Sequence, residues 1–183
     1  VNGSRLTGPV CCNNVALGTN SLCSNGYGGC NVGIGTASLY YNSTGCHNIA
    51  VGYASLYLNN TGCHNIANGY NSLYKNTTGC HNIGFGNASL YCNSTGTGNI
   101  ALGFCSLYYS TNNQCNIAIG SCAGCAIISG CCNTILGNLS GWNGMSCIVL
   151  IGAGTCCRLQ IDSNGLYVNG SRLTGPVCCN NVA

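Results

Sequence analysis

A 17-residue period constrains this chain more than any other feature. The segment Thr44-Gly45-Cys46-His47-Asn48-Ile49-Ala50-Val51-Gly52 recurs in related form from Thr61 to Gly69, from Thr78 to Gly86 and from Thr95 to Gly103. The same register holds for eight repeats, from Val10 to Met145. One column is glycine throughout: Gly18, Gly35, Gly52, Gly69, Gly86, Gly103, Gly120 and Gly137. A second is asparagine and includes Asn48, Asn65 and Asn82. A third is β-branched, with Ile49, Ile66, Ile83, Ile100 and Ile117 at its centre. Leu22, Leu39, Leu56, Leu73, Leu90 and Leu107 form a fourth, and Tyr40, Tyr57, Tyr74, Tyr91 and Tyr108 a fifth. Helical repeats are longer, at roughly 33 to 47 residues. Here each unit contains two short β-like runs, such as Asn48 to Val51 and Ser55 to Leu58, punctuated by Gly, Asn and Thr.

Two short strands and two bends make one coil, so the period predicts an all-β fold: a parallel β-solenoid with its columns stacked about 4.8 Å apart. The glycine column then marks a bend that needs positive φ. The Ile and Leu columns are expected to fill a narrow interior, and the asparagines to satisfy their amides from coil to coil.

A longer recurrence encloses the short one. Residues 1–16 return identically as residues 168–183, an offset of 167. The chain therefore reads as one unit of a tandem array followed by the start of the next. The register loosens after Met145, although residues up to 162 still read as solenoid. Residues 163–176 read as a small β-meander connector, because Asn164-Gly165 and Asn169-Gly170 sit between short apolar runs. Residues 1–9 copy that connector, and residues 177–183 open the next unit.

Composition narrows the function. Only 3% of residues are charged, and Asp162 is the single acid beside four Lys and Arg. One acid cannot form the carboxylate pair of most glycosidases or a calcium cage. Four cations cannot neutralise a phosphate backbone. No enzyme, cofactor or nucleic-acid class is indicated, and no apolar run approaches the length of a membrane span.

Cysteine is abundant, at 19 of 183 residues, a density typical of disulfide-stapled extracellular or surface proteins. Cys46, Cys63 and Cys80 share one column with Cys12 and Cys131. Cys115 and Cys132 share the next with Cys30, and Cys105 and Cys122 share another. Stacked neighbours fall within the Cα separation of a disulfide, so Cys105–Cys122 and Cys115–Cys132 are candidate staples. Cys46, Cys63 and Cys80 cannot all pair among themselves. Cys11, Cys12, Cys156, Cys157, Cys178 and Cys179 lie near unit junctions and are candidate cross-links between units or chains.

His47, His64 and His81 form a column beside three of these cysteines. Cys and His are zinc ligands, but neighbours along a strand point to opposite faces, so the reading is a solvated or interface histidine stack without a metal. The tyrosines alternate with the leucines and are expected outside, as a partner surface for lateral packing or as a carbohydrate strip. Asn42, Asn59, Asn76 and Asn93 begin Asn-x-Ser/Thr sequons in one column at a bend. Asn, Ser and Thr favour bends without any glycan.

The recurring Asn-Ile-Ala-x-Gly followed by Ser-Leu-Tyr-x-Asn-x-Thr-Gly resembles the β-roll repeats of trimeric autotransporter adhesin heads, and those of phage and giant-virus fibre proteins. The resemblance implies an elongated, often trimeric, extracellular fibre or adhesin. The function expected is therefore a structural building block of a disulfide-stabilised extracellular filament whose partners are copies of itself. The alternative is the shaft of an adhesin or viral receptor-binding fibre that recognises a host glycan or protein.

Overall fold

The computed structural model describes residues 13–153 and 156–172. It is all-β, a single sheet whose strand order follows the chain from β1 to β12. β1 (Val15–Leu17), β2 (Val32–Ile34), β3 (Ile49–Val51), β4 (Ile66–Asn68), β5 (Ile83–Phe85), β6 (Ile100–Leu102), β7 (Ile117–Ile119), β8 (Thr134–Leu136) and β9 (Val149–Ala153) pair in parallel. Each strand aligns with the residue 17 further on, as in Ile49 with Ile66 and Ile66 with Ile83. The expected parallel β-solenoid of 17-residue coils is the observed fold.

Three features differ from the sequence reading. First, each coil contains one strand. The run Ser55 to Leu58 is a succession of turns, because Ala54 and Leu56 adopt left-handed backbone with φ of 50° and 49°. The coils remain tied there by backbone bonds: Leu39 N donates to Ser55 O at 2.9 Å and Leu56 N to Ser72 O at 3.0 Å. Hydrogen bonding between coils thus survives without strand dihedrals.

Second, the Ile column faces out. Each three-residue strand turns only its middle residue inward. Through β7 those middle positions hold small residues, fully buried at Ala50, Ala67, Ala101 and Ala118, whereas β8 and β9 turn Ile135 and Leu150 inward. The opposite wall carries Leu39, Leu56, Leu73, Leu90 and Leu107, also fully buried. With leucines filling the lumen from one side, the other side has room for little more than a methyl group. The bulky β-branched residues are displaced to the outer face, and Ile49 is 41% exposed.

Third, the parallel stack ends at β9. β10 (Cys156–Asp162), read from sequence as solenoid, already runs antiparallel to β9. β11 (Gly165–Val168) and β12 (Ser171–Arg172) continue the meander. Both Asn-Gly signals mark hairpins. Asn169 and Gly170 have φ of 49° and 80°, as a type I′ turn requires. At the first hairpin Ser163 and Asn164 form the loop and Gly165 begins the strand.

The interior is half polar. Asn31, Asn48, Asn65, Asn82, Asn99, Asn116 and Asn133 are buried and form a continuous ladder. Asn65 Nδ2 donates to Asn48 Oδ1 at 3.1 Å and to Gly79 O at 2.8 Å. Its own Oδ1 accepts from Asn82 N and from Asn82 Nδ2. A second buried ladder joins Asn25, Asn42, Asn59, Asn76 and Asn93, with Nδ2-to-Oδ1 distances of 2.7 to 2.8 Å. Four of these asparagines are the sequon residues. In the folded chain their amides are enclosed and engaged, so they are bend-forming residues and not exposed glycan acceptors.

The second ladder ends where Ser110 replaces asparagine. Asn93 Oδ1, Ser110 Oγ and Asn113 Oδ1 are buried without a hydrogen-bond partner among the described residues. The cause lies three residues downstream. At Gly62 an added Cβ would lie 2.5 Å from Asn59 Oδ1. In the seventh coil that glycine position is Asn113, whose side chain excludes a full asparagine at 110. Ser110→Asn alone should therefore destabilise the fold, and Asn113→Gly should rescue it by extending the ladder. Urea unfolding of the two single variants and the double variant should give a favourable coupling of about 1 to 3 kcal/mol. Additive effects would refute the swap.

Candidate interaction surfaces

The first surface is the outer face of the sheet. The residues flanking each inward position form two apolar columns. One runs Val15, Val32, Ile49, Ile66, Ile83, Ile100, Ile117, Thr134, Val149. The other runs Leu17, Ile34, Val51, Asn68, Phe85, Leu102, Ile119, Leu136, Ile151. Thr134 and Asn68 are the only polar residues in either column. Leu17 is 57% exposed and Phe85 53%. The face extends along nine parallel strands, about 40 Å at the usual strand spacing. Sequence reasoning missed it by assigning the Ile column to the core. The signal was present in the small residue between two large ones, as in Ile49-Ala50-Val51.

The second surface is the tyrosine ladder. Tyr40, Tyr57, Tyr74, Tyr91 and Tyr108 lie half-buried in one stack. Ring centroids are 5.0 to 5.2 Å apart, and from Tyr57 to Tyr108 the planes lie within 7° of parallel. The ring faces are satisfied by one another, leaving the edges for any partner. Partial burial, followed by the neighbouring Tyr91 phenol, pushes Tyr74 above the usual tyrosine range. Lys75 lies 5.5 Å from the Tyr91 ring centroid, within cation–π reach. An adjacent column exposes Tyr53, Tyr70 and Phe104, each just over half accessible.

The third surface is a corner of cysteine and histidine. Cys30, His47, His64, His81, Cys115, Cys132 and Cys147 all stand in one column of left-handed backbone, with φ from 55° to 60°. The three imidazoles stack in parallel at 4.9 and 5.0 Å. In the neighbouring column the sulfurs point along the axis as acceptors: Cys46 N donates to Cys63 Sγ at 3.1 Å and Cys63 N to Cys80 Sγ at 3.2 Å. Ser146 Oγ does the same for Cys131 N. These cysteines thus cap backbone N–H groups at a corner, a role that spacing alone does not reveal. Among the described residues no three His, Cys, Asp or Glu side chains converge to hold a metal ion.

The candidate staple residues Cys46, Cys63, Cys80, Cys105, Cys122, Cys115 and Cys132 are placed in their columns one coil apart, as free thiols. Cys156 and Cys157 begin β10, where their backbones pair with Ala153 and Gly152. Cys11, Cys12, Cys178 and Cys179 lie outside the described residues. The glycine column has the predicted backbone, with φ of 128°, 138° and 132° at Gly52, Gly69 and Gly86. No helix among the described residues is long and apolar enough to cross a membrane.

No protein-family model, curated protein or solved structure matches this chain. The assignment of a function rests on the surfaces themselves.

Proposed function

We propose that this chain is the repeating building block of an extracellular fibre made of tandem 167-residue β-solenoid units. One observation carries the reading: every parallel strand presents at least one large apolar side chain on the outer face of the sheet, and only Asn68 and Thr134 interrupt its two columns. An exposed apolar patch of this extent is a contact surface. Its ridges repeat at the coil spacing, so the partner that matches it over its whole length is another solenoid with the same rise, a second copy of the chain. The far edge of β9 is occupied by β10, so successive units join through the antiparallel hairpins, and chains associate laterally through the sheet face. Aromatic stacking and buried amide ladders suit a mechanical role, because each coil is held to the next by many parallel interactions.

The second reading is the shaft of an adhesin or viral receptor-binding fibre. The exposed Tyr53, Tyr70 and Phe104 favour it, as rings available to a host glycan or protein.

The test is the assembly state of the wild-type chain and of the double variant Ile83→Lys/Phe85→Lys. Wild type should sediment as oligomers, and the variant as a monomer with an unchanged far-ultraviolet spectrum. A wild-type chain that stays monomeric at high concentration would overturn the proposal.

A further inference from the structure

The seventh coil departs from the repeat at Ala123, Gly124 and Cys125, after a cysteine that it shares with Cys105 of the coil before. Earlier coils read Ala54-Ser55-Leu56-Tyr57 or a close variant, whereas this one reads Cys122-Ala123-Gly124-Cys125. The change rebuilds the local structure. Without a leucine, the lumen is filled instead by Ile135 and by Ile127, the latter fully buried at a position that holds asparagine up to Asn93 and serine at 110. A Cβ on Gly124 would lie 2.8 Å from Leu107 Cδ2 and 3.1 Å from Ile135 Cδ1, so the glycine is needed for this packing. Gly124 has φ of 63°, and Cys125 N donates to Cys122 O at 3.1 Å. That bond closes a β-turn with a cysteine at each end.

A β-turn brings its first and fourth Cα atoms within 7 Å, the range a disulfide spans. Both side chains are half-exposed, and each sulfur lies in the other's immediate environment. Burial, and then Cys122, push the Cys125 thiol up. Cys105 sits one coil below, and burial followed by Cys122 raises it too. The column geometry is less favourable for a bond. Equivalent Cβ atoms in successive coils are separated by the coil rise, about 4.8 Å at the usual strand spacing. A disulfide needs a Cβ separation of about 3.5 to 4.5 Å.

We infer that Cys122 and Cys125 form a reversible dithiol–disulfide site, oxidised by a small-molecule disulfide and reduced by a small-molecule thiol. In oxidation the Cys122 thiolate attacks one sulfur of the small disulfide. The small disulfide bond breaks, a mixed disulfide forms on Cys122, and one small thiolate leaves. The Cys125 thiolate then attacks the Cys122 sulfur, forming the Cys122–Cys125 bond and releasing the second small thiolate. The protein loses two electrons, the small disulfide gains two, and the two cysteine protons end on the two released thiols. The spacing is that of the C-x-x-C redox turn, here set on a solenoid coil. This inference does not depend on the fibre reading.

The experiment equilibrates the full chain in buffers of varied oxidised-to-reduced glutathione ratio, then quenches, alkylates and maps the peptides. The Cys122–Cys125 bond should form at a ratio at least about tenfold less oxidising than any bond among Cys46, Cys63 and Cys80. Cys105→Ser should leave its formation unchanged, and Cys122→Ser should leave Cys125 alkylatable. The inference is overturned if the bond maps to Cys105–Cys122, or if Cys122 and Cys125 stay alkylated where the column cysteines have oxidised. The wild-type map alone decides between these outcomes, so a variant that fails to fold does not obscure them.

Discussion

Replacing Gly69 by alanine should destabilise the chain by at least about 3 kcal/mol, from two independent causes. Its φ of 138° lies in a region that side-chain-bearing residues rarely adopt, a strain of about 1 to 3 kcal/mol. The new Cβ would also lie 2.5 Å from Gly86 O and 2.7 Å from Gly86 C. That neighbour is backbone of the next coil and belongs to the ladder that sets the rise, so it cannot move without opening the stack. The control is Gly144→Ala, where an added Cβ meets nothing within 4 Å and only the φ of 80° opposes it. Urea unfolding of both variants should show the larger loss at Gly69. Equal losses would show that strain alone matters and that contact between coils at the glycine column does not.

The second large effect is expected at Asn65. Truncation to alanine removes the donor to Asn48 Oδ1 and Gly79 O and the acceptor of both Asn82 groups. Asn82 N is left without an acceptor, whereas Asn48 Oδ1 keeps Asn65 N, Gly79 O keeps Asn76 Nδ2, and Asn82 Nδ2 keeps Gly96 O. One orphaned buried donor costs about 1 to 3 kcal/mol, and the loss of three further bonds at about 0.5 to 1.5 kcal/mol each brings the expected destabilisation to about 3 kcal/mol. Asn65→Asp is the sharper probe, because it keeps the shape and removes only the donors. It sets a carboxylate oxygen against Asn48 Oδ1 and Gly79 O and buries a charge. Aspartate should be worse than alanine at neutral pH and should recover in acid as the carboxyl protonates. A loss below about 1 kcal/mol for both variants would mean that the ladder decorates the stack without holding it.

The period made the coil legible, because a residue repeated every 17 positions has to stack on itself. Glycine and asparagine columns were readable for the same reason: few environments demand Gly or a buried Asn at every turn. The orientation of the strand was not. In a three-residue strand a one-residue change of register exchanges inside for outside, and hydrophobicity alone favours Ile over Ala for the core. Lumen width decides otherwise, and width depends on the leucines across the coil. The missing second strand has a similar origin. Ala54 and Leu56 carry no sequence mark of left-handed backbone, and only the closure of so short a coil imposes it. The acceptor role of Cys46, Cys63 and Cys80 was hidden because a cysteine column first suggests covalent bonds.

Strand order in this sheet is the order of the chain, and this bears on how the molecule is made. No coil waits for a distant segment before it can pair; each needs only the one before it. Stability of such an array accumulates by nearest-neighbour interfaces, and loop closure between adjacent coils is a short-range event. A nascent chain could therefore wind up coil by coil behind the ribosome. Insertion or loss of one whole 17-residue segment would change the length of the rod without changing its cross-section. Length in this architecture is a copy number, open to adjustment by duplication.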